Sequence, residues 1–278
     1  MSSICSISES DDETAQRALD LEDSLDYEME EALQSNRGKL IGERKVIIPG
    51  TRTYTNSLNV IVGKQNRGKT HTGVRECIKI CRSHPHTHLL VYINRNGEQS
   101  DGTFEALKLL IPVPIKYVSQ DEAIDYLKNL LEYKQVYNQI ISEGLTEQVP
   151  SHCREELFDA LFIRDFNHPF LHTIVLTDDA SKMKCMKSDE FSNLLTQCRH
   201  IQCTFFINIH FFKALSTTIK TNIDTLYICS GFSRQQISYI LYQSNVGIGS
   251  KELWDTYSRL GQFDKLVIDS ETSDVSVV

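Results

Sequence analysis

The segment with the clearest chemical potential runs from Gly63 to Thr70 and reads Gly-Lys-Gln-Asn-Arg-Gly-Lys-Thr. It fits the pattern G-x-x-x-x-G-K-[S/T], in which glycines let the backbone turn its amide groups inward on phosphate oxygens. Lys69 is expected to reach the β- and γ-phosphates, and the Thr70 hydroxyl to take one coordination position on Mg²⁺. The pattern therefore predicts a site for a nucleoside triphosphate with Mg²⁺.

The predicted nucleotide contacts form one continuous run of the chain. They are Gly63, Lys64, Gln65, Asn66, Arg67, Gly68, Lys69, Thr70 and His71. Two of the variable positions are basic, and Lys64 and Arg67 either add phosphate contacts or face solvent. The helix predicted from Thr70 onward would direct its positive N-terminal end at the phosphates.

Asp178 and Asp179 follow the apolar run Thr173–Thr177. In P-loop proteins, an apolar strand that ends in an acid places a carboxylate beside the metal ion. We expect Asp178 to hold Mg²⁺ through water and Asp179 to polarise the attacking water. The second acid argues against a GTPase, as does the lack of an N-K-x-D segment. The alternative is that both aspartates form an ordinary turn at the end of a strand.

His210 follows the next apolar run, Thr204–Ile209. A polar side chain at this point can sense the γ-phosphate, and we include His210 among the candidate catalytic residues. The alternative is a loop histidine that caps the strand without touching the nucleotide.

A second group of residues has spacings that suit zinc. It consists of Cys77, Cys81, His84, His86 and His88. The competing interpretation, which we favour, makes the two cysteines one buried face of a helix and the histidines a solvated loop. We therefore predict Mg²⁺ as the metal of this protein and no zinc site.

The elements that must position these residues alternate along the chain. Strands are predicted at Lys45–Pro49, Ser57–Val62, His88–Asn94, Pro114–Val118, Leu171–Thr177, Cys203–Ile209, Thr225–Cys229 and Lys265–Asp269. Helices are predicted at Thr70–Arg82, Asp121–Ile141, Ser188–Arg199 and Ser233–Gln243, with a variable polar segment at Glu143–Asn167. This alternation implies right-handed crossovers and a three-layer, mainly parallel α/β sheet.

Charge divides the chain into two predicted parts. Residues 1–35 contain eleven acidic residues against Arg17 alone, a charge of −10. Because the whole chain carries −8, the rest carries +2, which neither indicates nor excludes nucleic-acid binding. We predict an acidic arm at residues 1–36, disordered or partly helical, and a P-loop ATPase domain at residues 37–278.

Composition also bears on location. No run approaches the roughly 18 apolar residues of a membrane span, and no secretory signal is visible at the N-terminus. Eight cysteines without C-x-x-C spacing suit the reduced thiols of an intracellular protein.

Five motifs occur in an order that resembles the genome-packaging ATPases of poxviruses and other large nucleocytoplasmic DNA viruses. This family belongs to the FtsK/HerA superfamily and has virophage and polinton-like relatives. The matching pieces are the P-loop, Ile115–Asp125, Ile174–Asp179, Cys198–His200 and Lys220–Asp224. The resemblance covers roughly residues 55 to 245.

The resemblance implies a RecA-like P-loop fold of the additional-strand (FtsK/HerA) type that hydrolyses ATP with Mg²⁺. It also implies a ring of five or six subunits that threads double-stranded DNA into a capsid, with capsid or inner-membrane packaging vertex proteins as partners. The expected location is the viral assembly site in the host cell, and the virion.

The resemblance makes Arg199 a candidate for stabilising charge across a subunit boundary, while a helix C-terminal cation is the alternative. The chain departs from the family in two places. His210 stands where glutamine is common, and Lys220 where arginine is common. Because an ammonium lacks the planar fork of a guanidinium, Lys220 is not expected to act as an arginine finger.

Two other functions remain open from the sequence. One is a P-loop nucleotide or small-molecule kinase, although no acceptor pocket or arginine-rich lid can be identified. The other is a scaffold that binds nucleotide only as a conformational switch, in which Asp179 would have no catalytic role.

Overall fold

A computed structural model describes residues 53–95, 97, 102–167, 171–196, 202–244 and 250–278. Within these ranges the strands are β1 Leu58–Val62, β2 Thr87–Asn94, β3 Ile115–Ser119, β4 His172–Thr177, β5 Cys203–Ile209, β6 Thr225–Cys229, β7 Lys265–Asp269 and β8 Val275–Val277. They form one sheet. The predicted arm at residues 1–36, the predicted strand Lys45–Pro49 and the segment Cys198–His200, with Arg199, lie outside the described residues.

The strand order is β3-β2-β4-β5-β1-β6-β7-β8. The strands from β3 to β6 in this order pair in parallel, and β7 and β8 add in antiparallel fashion at one end. Strand β5 is therefore inserted between the P-loop strand β1 and the acid-bearing strand β4. This is the additional-strand arrangement that the resemblance implied, and the α/β RecA-like fold class is confirmed.

Helices cover both faces of the sheet. They are α1 Lys69–Ser83, α2 Gly102–Leu107, α3 Ala123–Glu143, α4 Ser151–Leu161, α5 Asp189–Thr196, α6 Thr217–Thr221, α7 Arg234–Gln243 and α8 Ser250–Tyr257. One apolar cluster joins the sheet to α1 and α2, and a second joins its other face to α3 through α8. Because β1, β2, β4, β5 and β6 are buried along their whole length, their sequences are nearly continuous apolar runs.

Most element boundaries agree with the sequence within about two residues, and the differences lie outside the central sheet. Helix α4 occupies part of the segment that was predicted to be variable and polar, and the elements α2, α6, α8 and β8 were not predicted. Helix α7 begins with a capping box, in which the Ser233 hydroxyl accepts from the Gln236 amide, as its sequence favours. No helix within the described ranges has the length and apolarity to span a bilayer.

Candidate nucleotide-binding site

The carboxyl ends of β1, β4 and β5 lie side by side because these strands are parallel neighbours. At this edge lies a cavity of about 350 Å³. Its lining consists of Gln65, Asn66, Arg67, Gly68, Lys69, Thr70, His71, Thr103, Asp178, Asp179 and His210. The structure therefore brings together the loop, the acid pair and the histidine that the sequence identified separately.

The loop leaves β1 through a closely packed turn. A Cβ atom on Gly63 would lie 2.7 Å from the Cys229 Cβ, so only glycine fits there. Asn66 and Gly68 have φ values of 57° and 75°, in the left-handed region that glycine and asparagine tolerate best. Gly68 is the N-cap of α1 and offers no side-chain cap, an arrangement that suits a helix N-terminus to an anion.

Lys69 is 8% exposed and points across the loop. Its Nζ donates to the Lys64 carbonyl at 3.0 Å and lies 3.1 Å from His210 Nδ1. Of the two variable basic residues, Arg67 lines the cavity and packs against Gly231. The Lys64 side chain is exposed, as in the solvent-facing alternative, and neither Lys64 nor Gly63 lines the cavity.

Thr70 and Asp178 contact each other at the position where the sequence predicts the metal ion. The Thr70 hydroxyl donates to Asp178 Oδ1 at 3.3 Å, and the Tyr92 hydroxyl donates to Asp178 Oδ2 at 3.2 Å. A further bond, from Gln120 Nε2 to the Asp178 carbonyl at 3.3 Å, fixes the backbone there. Hydroxyl and carboxylate oxygens fit Mg²⁺, which commonly uses one or two protein ligands and takes the rest from water and phosphate.

Asp179 adopts a left-handed conformation, with φ 48°, that turns the chain into a short 3₁₀ helix at Ala180–Lys182. Its Oδ2 forms an ion pair with Lys182 Nζ at 2.9 Å. Its Oδ1 lies 3.4 Å from His210 Nε2 and has no hydrogen-bond partner among the described residues. A buried carboxylate oxygen in this condition is ready to accept a proton or a water hydrogen.

His210 lies between the loop lysine and the acid. Its Nδ1 lies 3.1 Å from Lys69 Nζ and 3.2 Å from the Gly63 carbonyl oxygen, and its Nε2 lies 3.4 Å from Asp179 Oδ1. The His210 amide donates to Ser181 Oγ at 2.6 Å, which ties the end of β5 to the segment after β4. The His210 ring lines the cavity, and its role as a γ-phosphate sensor stays a prediction.

Burial controls protonation on the other side of the loop. Desolvation lowers the pKa of His71, and the charges of Lys265 and Arg75 lower it further. Burial also lowers the pKa of Lys265. His71 is therefore a neutral imidazole at pH 7, which suits a hydrogen bond to phosphate or base rather than an ion pair.

Several residues of the site were missed in the sequence. Tyr92, Thr103, Gln120, Ser181 and Lys182 surround Asp178, Asp179 and His210 or line the cavity. Tyr92 lies in the strand beside β4, so the rule that carboxyl ends of parallel strands share an edge offered a signal for it. Ser181 and Lys182 follow the acid pair directly.

The cysteines and histidines whose spacing suits zinc lie in α1, in the loop that follows it and at the start of β2. Among the described residues no group of three or more histidine, cysteine or acidic side chains is arranged to hold a metal. Cys77 and Cys81 form a buried face of α1, as the favoured interpretation had it. The second part of that interpretation, in which the histidines form a solvated loop, was wrong. His84 and His88 are 3% and 8% exposed, because this part of the chain packs against β4.

Lys220 has a structural position. It is buried, its Nζ donates to Gln243 Oε1 at 3.4 Å, and it lies 5.9 Å from the centre of the Phe212 ring. Its side chain thus has partners within the chain, and the expectation that it is not an arginine finger stays a prediction.

No protein-family model and no curated protein matches the chain. The fold is, however, similar to solved structures. The genome-packaging NTPase B204 from Sulfolobus turreted icosahedral virus 2, in complex with ATPγS, is 14% identical, with a TM-score of 0.49 over 80% of this chain and 95% of that chain. The pCW3 conjugation coupling protein TcpA is 14% identical, with a TM-score of 0.45 over 80% of this chain and 59% of that chain.

The cytoplasmic domain of the type VII secretion ATPase EccC from Thermomonospora curvata is also similar. It is 14% identical, with a TM-score of 0.51 over 80% of this chain and 25% of that chain. At this identity the similarity shows a shared fold, and it says nothing about substrate or partner.

Proposed function

We propose that this protein is an ATP-hydrolysing motor that moves double-stranded DNA into a capsid during viral genome packaging. The observation that carries the hydrolytic part is the convergence of Lys69, the Thr70–Asp178 pair and Asp179 on one cavity. Each has a defined task in phosphoryl transfer to water.

The chain's own residues divide that task. Lys69 and the loop amides hold the phosphates, while Thr70 and Asp178 hold the metal ion. When bound, Mg²⁺ neutralises the charge that develops on the β- and γ-phosphate oxygens. Asp179 orients and polarises the attacking water, and His210 connects it to Lys69, so the acid lies within reach of the group that contacts the γ-phosphate.

The acid pair supports a hydrolase over the two alternatives. A kinase must exclude water and bind an acceptor, whereas Asp179 is placed to activate water beside the metal acid. A switch that never hydrolyses has no use for a partly unsatisfied carboxylate at this position.

The DNA part of the proposal is supported by the order of the sequence motifs, which resemble packaging ATPases from the P-loop to Lys220–Asp224. The fold does not indicate which polymer is moved, because the cytoplasmic domain of a secretion ATPase has a similar fold. The proposed location, at the viral assembly site and in the virion, has the same support.

The test is steady-state ATP hydrolysis by the full chain, with and without double-stranded DNA. The expected result is Mg²⁺-dependent turnover that linear duplex DNA stimulates and that single-stranded DNA or unfolded polypeptide stimulates less. Turnover that depends on a small acceptor would establish a kinase, and binding without turnover a switch.

The ring has its own test, which uses Arg199. If Arg199 completes the neighbouring site, the loss on Arg199→Ala is about 10³ to 10⁵ in rate. Mixing Arg199→Ala subunits with Lys69→Ala subunits should then restore activity, since some interfaces combine an intact loop with an intact arginine. An Arg199→Ala protein with full activity on its own would leave this residue as a helix-terminal cation.

A further inference from the structure

The segment that follows the acid pair presents a row of positive charges. It reads Lys182-Met183-Lys184-Cys185-Met186-Lys187. The three lysines are exposed, whereas Met183 and Met186 are 5% and 0% exposed. The methionines anchor the segment in the core and leave the lysines on the surface. We call Lys182, Lys184 and Lys187 the basic strip.

The basic strip is held in a fixed position. Its backbone forms two consecutive 3₁₀ turns, Ala180–Lys182 and Lys184–Lys187. The Ser216 amide donates to the Met186 carbonyl at 3.1 Å, which connects the strip to the N-terminus of α6. A surface with this support can present charges to a ligand without a large ordering cost.

Two of the three lysines carry no counter-charge within the described part of the chain. Neither Lys184 nor Lys187 forms an ion pair there. The nearest acids in sequence, Asp189 and Glu190, begin α5, and Glu190 pairs with Lys128. The short 3₁₀ turn Phe212–Ala214, which follows His210, packs against Ala180–Lys182 and adds the exposed Lys213.

Lys182 connects the basic strip to Asp179, the residue proposed to activate water. Its Nζ lies 2.9 Å from Asp179 Oδ2, and its side chain is 65% exposed. One end of the ion pair is therefore the residue that is to activate water, and the other end faces the same solvent as Lys184 and Lys187. Ion pairs this exposed are weak, so an external anion can take the lysine from the aspartate.

We infer that the basic strip binds the phosphate backbone of the nucleic acid, and that Lys182 makes hydrolysis depend on this binding. Without DNA, the Lys182 ammonium beside Asp179 Oδ2 stabilises the negative charge of the carboxylate and so weakens Oδ1 as an acceptor for the attacking water. A DNA phosphate that attracts Lys182 removes this positive charge, and the carboxylate then polarises the water more strongly. The inference rests on the proposed function and adds the surface and the coupling residue.

The first experiment concerns the surface and uses the full chain with a fluorescent duplex. We expect the double variant Lys184→Gln/Lys187→Gln to reduce the slope of log K against log salt concentration by about 2, since each lost phosphate contact removes about one unit. Arg164→Gln is the matched control, because it removes an exposed positive charge before β4 and should leave the slope unchanged.

The second experiment concerns the coupling. Lys182→Gln should raise the DNA-free rate of hydrolysis and bring the ratio of rates with and without DNA towards one. Lys182→Arg keeps the ion pair and should restore most of this ratio, which a merely structural role for the lysine would not predict.

The outcomes separate the two proposals. A parent protein that neither binds nor responds to duplex DNA overturns both the DNA function and the strip. A parent that responds, together with strip variants of unchanged salt slope, overturns the surface alone. A Lys182→Gln protein that retains the parent's ratio overturns the coupling.

Discussion

Polar side chains cluster at both edges of the parallel sheet, in different surroundings. At the carboxyl ends of the strands, Lys69, Asp179 and His210 face a cavity of about 350 Å³. At the amino ends, His172 and Lys134 are 2% and 1% exposed and are surrounded by protein. The residue types at the two edges are similar, so composition alone does not distinguish a reactive cluster from a structural one.

Hydrogen bonding does distinguish them. His172 has both ring nitrogens within 2.9 Å of hydroxyls, those of Thr87 and Thr204. Lys134 donates to the Gln202 carbonyl at 2.9 Å and to the Thr173 hydroxyl at 3.2 Å. These bonds connect β2, β4 and β5 at their starts.

At the cavity edge, the hydrogen bonding of Asp179 is incomplete. Asp179 keeps one oxygen without a hydrogen bond among the described residues and the other in an exposed ion pair. The difference that matters is access: the partly paired Asp179 carboxylate lines a cavity that a ligand can enter, whereas His172 and Lys134 are enclosed by the protein.

The largest expected effect is a loss of turnover when Lys69, at the cavity edge, is replaced. Lys69→Ala should reduce kcat by at least about 10³-fold, because it removes the charge that contacts the transferring phosphoryl group. The measurement is steady-state turnover, with nucleotide binding followed separately.

Lys134→Met is the matched control for Lys69→Ala. It removes a lysine from the buried edge and should lower the free energy of unfolding while the folded protein keeps its kcat. Equal catalytic losses in the two lysine variants would contradict the division between the edges.

The next-largest effect distinguishes the role of Asp179 from that of Asp178. Asp179→Asn should keep nucleotide affinity and slow hydrolysis by about 10² to 10⁴, since positioning and polarising the water matter mainly in the transition state. Asp178→Asn should instead raise the Mg²⁺ concentration that half-saturates turnover. If the two substitutions gave the same phenotype, the assignment of separate roles would be wrong.

The sequence predicted the parts of this site that are local in the chain. The P-loop is one continuous pattern, and β4 with its acid pair is another, so both could be identified without knowing the fold. The parallel alternation then implied that they share one edge. Tyr92 and Gln120 were missed because their contacts with Asp178 depend on the order of strands, which the sequence does not state.

Two errors have physical causes. Helix α4 was not predicted because only Leu157 and Leu161 along it are buried, too few positions for a clear helical period. His84 was placed in solvent, whereas its ring stacks on His172 at 4.4 Å. That partner is far away in sequence, so a polar loop composition was misleading.

The smallest of these effects is pH-dependent and tests the buried edge. Burial lowers the pKa of His84 to about 4, with help from the nearby charge of His86. Burial also lowers the pKa of His172 well below its usual value, and His84, Lys134, His88 and His86 add to this shift. In the unfolded chain both rings take up a proton below about pH 6.5, which the folded protein does not bind until the pH is far lower.

Protonation therefore favours the unfolded chain, so this stability is complete above pH 6.5 and is lost as the pH falls towards 4. For His84 this should cost about 2 kcal/mol of unfolding free energy between pH 7 and pH 5. Urea unfolding at several pH values measures the loss, which His84→Asn should reduce by about that amount, without a change in turnover at pH 7. His152→Asn, an exposed substitution on α4, is the control. If His84→Asn keeps the parent's pH dependence, the His84 ring is not buried in its neutral form.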